Sequence, residues 1–194
     1  MKTILLLVGG SWLFHLSPVL AADIKGTVRS PSKALTEAVV YINKIEGKVF
    51  PAPEAPVVMN QVSLTFVPHV LPVLVGTQVS FPNNDVTLHN VFSPSRDNRF
   101  DLGTYQAGTK KIVVCDKPGV VPILCHIHHE MSAFIVIVET PYFAVTDPQG
   151  GYTITNVPPG KYQLTAWHER MKSQVQAVEV PGTGDVTAMF MLQK

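Results

Sequence analysis

Turn-forming clusters recur along this chain so densely that long helices have little room. Asp147-Pro148-Gln149-Gly150-Gly151, Pro158-Pro159-Gly160 and Pro181-Gly182-Thr183-Gly184 all fall in the last quarter. Between such clusters apolar residues alternate with polar ones. Tyr152-Thr153-Ile154 and Tyr162-Gln163-Leu164 do so, and Val62, Leu64 and Phe66 are expected to share one face of a strand. Val73 and Val75, then Val79 and Phe81, continue the pattern around a turn at Gly76-Thr77. A period of two with frequent Gly and Pro punctuation describes short strands in sandwiches or barrels. Phe134-Ile135-Val136-Ile137-Val138 is apolar without a break, as a strand buried on both faces requires. Leu35 to Val40 has the length of a helical turn, but Val39-Val40-Tyr41-Ile42 is strand composition. The expected fold class is all-β.

Residues 1–22 read as an address. Lys2 supplies a positive charge, Ile4 to Leu16 is mostly apolar, and Val19-Leu20-Ala21 has the small residue of a cleavage site. This is the pattern of a secretory signal peptide, cut after Ala21 or Ala22. Pro18 and the Gly9-Gly10 pair interrupt the run short of the ~20 apolar residues a membrane anchor needs. The mature chain is therefore expected in the periplasm or secreted, with no stable membrane insertion. Lys2 is one of 15 basic residues, and without it they balance the 14 acidic ones. An even balance gives no basic footprint, so nucleic acid is not an expected partner. At 46% hydrophobic and 15% charged, the chain has the composition of a folded domain rather than a disordered one.

Two breaks organise the rest. Pro51-Ala52-Pro53-Glu54-Ala55-Pro56 reads as an extended connector, and Glu139-Thr140-Pro141 as a second one. Between them lies a block of domain size, residues 57–140. The flanks, 23–50 and 141–194, are each too short to stand alone and are expected to complete one small sandwich together.

The chemistry is concentrated in Cys125-His126-Ile127-His128-His129-Glu130-Met131. A cysteine, a histidine three later and a methionine three after that offer soft and borderline ligands on one loop. His89 lies upstream in Val86-Thr87-Leu88-His89-Asn90-Val91 and can supply a further ligand from a neighbouring strand end. Two histidines and a thiolate, with a weak axial methionine sulfur, make the blue-copper arrangement. Thiolate and thioether favour Cu(I) and imidazole suits both states, so the set fits one-electron transfer. A zinc site from Cys125, His126 and His128 is open on ligand type alone. So is a disulfide between Cys115 and Cys125, because exported proteins with two cysteines usually pair them.

These motifs together resemble the cupredoxins, in particular plastocyanin and amicyanin. Phe66-Val67-Pro68 and Val75-Gly76-Thr77-Gln78-Val79 resemble the family's opening strands. Phe81-Pro82-Asn83-Asn84-Asp85 followed by His89-Asn90-Val91 resembles its first-ligand region, and Pro118-Gly119 with Cys125, His128 and Met131 its ligand loop. The resemblance implies a Greek-key sandwich holding one type 1 copper ion. His89, Cys125 and His128 would be the strong ligands and Met131 the axial one. Asn90 would hydrogen-bond between the two ligand loops. His128 would be the solvent-edge ligand through which electrons pass to a redox partner protein. His129 stands where related loops commonly carry proline.

The flanks resemble a second family. Ile24-Lys25-Gly26-Thr27-Val28, Ala38-Val39-Val40-Tyr41-Ile42, Gly151-Tyr152-Thr153-Ile154 and Val157-Pro158-Pro159-Gly160-Lys161-Tyr162 look like a carboxypeptidase-regulatory-like domain. That implies a small transthyretin-like β-sandwich without catalytic residues. The combination is similar to exported bacterial proteins labelled methylamine-utilisation or plastocyanin-like.

The leading expectation is a blue copper electron carrier. One alternative is a periplasmic copper-handling carrier that adds His126 and His129 to the ligands. Another is a carbohydrate- or protein-binding module with an accessory metal site. An enzyme is not expected, since no nucleophile–base pair, paired-carboxylate site or phosphate loop stands out. Multicopper chemistry would need further histidine pairs that the chain lacks.

Overall fold

The structure is a computed structural model that describes residues 21–194. The expected signal peptide falls almost wholly outside the described residues. Among the described residues there are seventeen strands and no helix. None of these residues forms a helix long and apolar enough to cross a membrane.

Strands β1 (Ala22–Arg29) and β2 (Val39–Ile42) open the described chain. They form two sheets with the last five: β13 (Phe143–Val145), β14 (Gly151–Val157), β15 (Gly160–His168), β16 (Met171–Val180) and β17 (Val186–Met191). One sheet runs β14-β1-β17 and the other β13-β2-β15-β16. Ile24, Val28, Val40, Ile42, Ile154, Leu164 and Phe190 fill the space between them. β1 lies antiparallel to β14 and parallel to β17, so the N-terminal strand is needed to join the C-terminal ones. Gly26 permits this. A Cβ there would stand 1.6 Å from the Ala188 carbonyl oxygen and 3.0 Å from the Tyr152 ring.

The intervening strands are β3 (Val57–Val58), β4 (Asn60–Val62), β5 (Thr65–Val67), β6 (Val70–Leu74), β7 (Thr77–Pro82) and β8 (His89–Ser93). They continue with β9 (Phe100–Tyr105), β10 (Lys110–Cys115), β11 (Gly119–Leu124) and β12 (Ser132–Val138). They form a sheet β10-β7-β3 and a sheet β6-β12-β11-β8-β9, with β4 and β5 as a separate hairpin. Phe66, Phe81, Val91, Ile123, Met131 and Ile135 are among the buried residues of this second core. The turn at Gly76 carries the chain from one sheet to the other, so Val73 and Val79 face each other across the core rather than along one strand.

The expected shared face of Val62, Leu64 and Phe66 does not exist. Ser63 and Leu64 take positive φ values of 51° and 55° and form the tip of the β4–β5 hairpin. Phe66 is fully buried, whereas Val62 and Leu64 are exposed. Such tips usually carry Asn or Gly, and neither is present to mark this one.

β12 explains the unbroken apolar run. It pairs antiparallel with β11 and parallel with β6. Ala133, Ile135 and Ile137 point into the core shared with the ligand loop. Val136 and Val138 point the other way and pack with Val39 and Val70, backed by Tyr41, Phe143 and Trp167. The Phe134 ring meets Trp167 edge-on at 5.4 Å, so Trp167 belongs to this junction. His69 lies against the Ser132 carbonyl (3.1 Å) and the Glu169 carboxylate (3.2 Å), bridging from the central strands to the β15–β16 turn.

Candidate metal centre

The loop from Cys125 to Met131 joins β11 to β12, and the pair Leu124–Ser132 closes its base. Inside it the Met131 N–H donates to the His128 carbonyl at 3.0 Å, which tightens the second half into a turn. Leu124 also pairs with Phe92 of β8, which brings the start of β8, and so His89, to the same end of the sheet.

His89 and Cys125 are buried and His128 is half-buried, and their ligand atoms all lie within 4.8 Å of one another. His89 Nδ1 is 3.1 Å from His128 Nδ1, and Cys125 Sγ is 4.0 Å from His128 Nδ1. This is the one such group of three found among the described residues. Met131 is 1% exposed and lies in the same apolar cluster as Cys125. Asn90 is buried. Its backbone N–H points at Cys125 Sγ (3.5 Å), and its side-chain oxygen accepts the His126 N–H (3.3 Å).

The tautomer of a neutral His89 ring follows from its neighbour. Nε2 faces an Asp85 oxygen at 3.1 Å, and a carboxylate can only accept. The proton of a neutral ring therefore sits on Nε2 and leaves a lone pair on Nδ1, the atom that faces His128 and Cys125. Asp85 is held ionised for this task. N–H groups of Leu64 (2.7 Å) and Val86 (2.9 Å) donate to it and keep its carboxyl below the usual range. The hairpin tip at Leu64 is thus tied to the back of the site. Two imidazole nitrogens and a thiol converging in a largely buried pocket fit a borderline or soft metal ion.

Asp85, beside His89, and Asp101, whose Oδ1 accepts the Asn90 Nδ2–H at 2.7 Å, are the residues around the site that sequence reasoning gave no role. Asp85 had a faint signal, since it precedes His89 by four residues in a turn-forming run. Asp101 had none. The other histidines of the cluster stay outside the group. His126 stacks flat on Phe92 at 3.7 Å, and His129 is exposed.

Both cysteines are free, which removes the disulfide alternative. Cys115 ends β10, opposite Thr77, and burial pushes its thiol up to about 12. A thiol so buried and so weakly acidic should be inert. In a Cys125→Ser variant, a thiol reagent at pH 8 should label nothing in the native protein and one cysteine after unfolding. Labelling of the native form would show Cys115 to be accessible.

Residues 131–193 match the family model of the carboxypeptidase regulatory-like domain. The match begins at Met131 and so includes β12, a strand of the central sheet. Among solved structures, the chain is similar to a purple cupredoxin from Nitrosopumilus maritimus, at 19% identity over 42% of this chain and 98% of that one, TM-score 0.39. It is also similar to a copper-containing nitrite reductase from Thermus scotoductus SA-01, at 25% identity and TM-score 0.43, over 51% of this chain and 25% of the reductase. A variant of amicyanin in its reduced form matches at 17% identity and TM-score 0.41, over 44% of this chain and 84% of that one. No curated protein matches the sequence.

Proposed function

We propose that this protein is a type 1 copper protein that carries single electrons outside the cytoplasm. The observation that carries the reading is the convergence of His89 Nδ1, Cys125 Sγ and His128 Nδ1 in one small volume. Met131, from the end of the same loop, is the weak fourth ligand of the proposal. A copper ion held by these residues supplies a one-electron couple between Cu(II) and Cu(I).

The chain's own residues prepare for that couple. Asp85 orients the His89 ring, and the Asn90 N–H stabilises charge on the Cys125 sulfur. His89, Cys125 and Met131 are shut away from water, so little solvent has to rearrange when the charge changes. His128 is the half-exposed member, and the exposed side chains of Ile127 and Leu88 adjoin His128 and His89 in sequence. These exposed apolar side chains beside His128 are the proposed port where a redox partner docks and the electron enters. No substrate bond is made or broken. Export belongs to the same reading. A cut after Ala21 leaves β1 whole, whereas one after Ala22 removes a buried residue paired with Val157.

Visible absorption and electron paramagnetic resonance of the copper-loaded mature protein test the reading. An intense visible band with a small copper hyperfine splitting is expected, and a colourless Cu(II) form would refute it. Met131→Gln should retain copper and lower the reduction potential by about 59 mV or more, a tenfold shift for a one-electron couple. An unchanged potential in a voltammetric measurement would remove Met131 from the ligands.

A further inference from the structure

We infer that Asp101, through the bulge in β9, is the positioning residue that locks the Asn90 side chain between the two ligand-bearing segments. The register carries the first part of the argument. Asn90 pairs with Thr104 and Phe92 with Asp101, so Leu102 and Gly103 of β9 face the single residue Val91 of β8. Gly103, the second bulged residue, sits at φ 66°, a left-handed conformation that glycine adopts without steric cost. The bulge turns the Gly103 N–H onto Asp101 Oδ1 at 2.8 Å. The same oxygen accepts the Asn90 Nδ2–H at 2.7 Å.

A primary amide can occupy its slot in two orientations that differ only in exchanging O and N. Here the two ends face opposite demands. Asn90 Nδ2 meets the Asp101 carboxylate and Oδ1 meets the His126 N–H. Flipping the amide would set an acceptor against a carboxylate and a donor against a donor. Asp101 therefore selects the orientation in which Asn90 reaches His126, the residue next to Cys125. The Gly103 and Asn90 donors keep the Asp101 carboxyl below its ordinary range, which favours its charged form. Its other oxygen lies 3.7 Å from His126 Nε2, and the His126 ring stacks on Phe92. One carboxylate thus touches both the strand that carries His89 and the loop that carries Cys125.

The inference rests on the copper reading only where it concerns the metal, and its first test uses metal-free protein. Amide hydrogen exchange is followed by nuclear magnetic resonance in wild type, Asp101→Ala and Asp101→Asn. In Asp101→Ala the His126 amide should exchange about tenfold faster or more, while the amides of Ile135 and Leu164 keep wild-type rates. Asp101→Asn retains an acceptor oxygen and should restore His126 protection to within about threefold of wild type. Unchanged His126 exchange in Asp101→Ala would overturn the inference. So would an equal acceleration at Ile135 and Leu164, which marks general loosening. The copper-loaded proteins give the second readout, a changed visible spectrum in Asp101→Ala that Asp101→Asn returns toward wild type. If wild type shows no blue band, the copper reading fails and the exchange result stands. If the band is present and Asp101→Ala exchanges like wild type, the positioning role fails alone.

Discussion

Cys125→Ser should abolish the visible colour of the copper-loaded protein while leaving a folded apoprotein. The colour of a blue copper centre comes from charge transfer out of a thiolate, and a serine hydroxyl stays protonated at neutral pH and donates far less. The apoprotein should lose only about 1–3 kcal/mol, because the buried hydroxyl can still face the Asn90 N–H. The loaded proteins should differ more. At copper 1,000-fold above its dissociation constant, wild type gains about 4.1 kcal/mol of stability, and the variant gains little. Visible spectra and chemical unfolding with and without copper check both halves. A variant that keeps the intense band would remove Cys125 from the ligands.

Gly26→Ala should be the most damaging conservative change in the outer pair of sheets. Its Cβ would fall 1.6 Å from the Ala188 carbonyl oxygen and 2.7 Å from the Ala188 carbonyl carbon. Both are backbone atoms of β17, so no side-chain rotation relieves the clash. β1 and β17 must separate, and six paired positions from Ile24–Val186 to Arg29–Met191 are at stake. The Ala188 carbonyl is also the acceptor of the Tyr152 hydroxyl at 2.9 Å, so that bond is lost with it. The expected cost is about 4–5 kcal/mol, at the upper end for a point substitution. Denaturant unfolding measures it, and a wild-type midpoint would show that β1 and β17 do not approach this closely.

Much of the fold was readable from residue pattern alone. The run from Phe134 to Val138 announced a strand with two covered faces, and β12 has them. Val39–Ile42 is a strand despite the helical length of its neighbourhood. The reading failed at Val62 to Phe66, where alternation was counted through a hairpin tip. Ser63 and Leu64 adopt the left-handed conformation without the Gly or Asn that normally marks it. In the candidate site, the three-residue spacing already placed Cys125 and His128 on one loop. His89 was expected from a neighbouring strand end, and it stands at the start of β8. Asp85 had only its place in a turn-forming run four residues ahead of His89 to mark it, and Asp101 had nothing. The partners of Asp85 depend on where the β4–β5 tip lands, and those of Asp101 on a one-residue bulge. Such placements arise from register, and composition carries no trace of them.

β12 has a consequence for how this protein can vary. An ordinary surface strand leaves every second position free to drift, because one face meets only water. β12 has no such face. Ala133, Ile135 and Ile137 answer to one core, Val136 and Val138 to the junction with the other sheets, and Phe134 to Trp167 and His69. A change of volume at any of them is felt by a different set of neighbours, and each set must adjust separately. Across related chains, the loop from Cys125 to Met131 should therefore tolerate changes at its exposed positions, His126, Ile127, His129 and Glu130. The six residues from Ala133 to Val138 should form the least variable stretch outside the ligands.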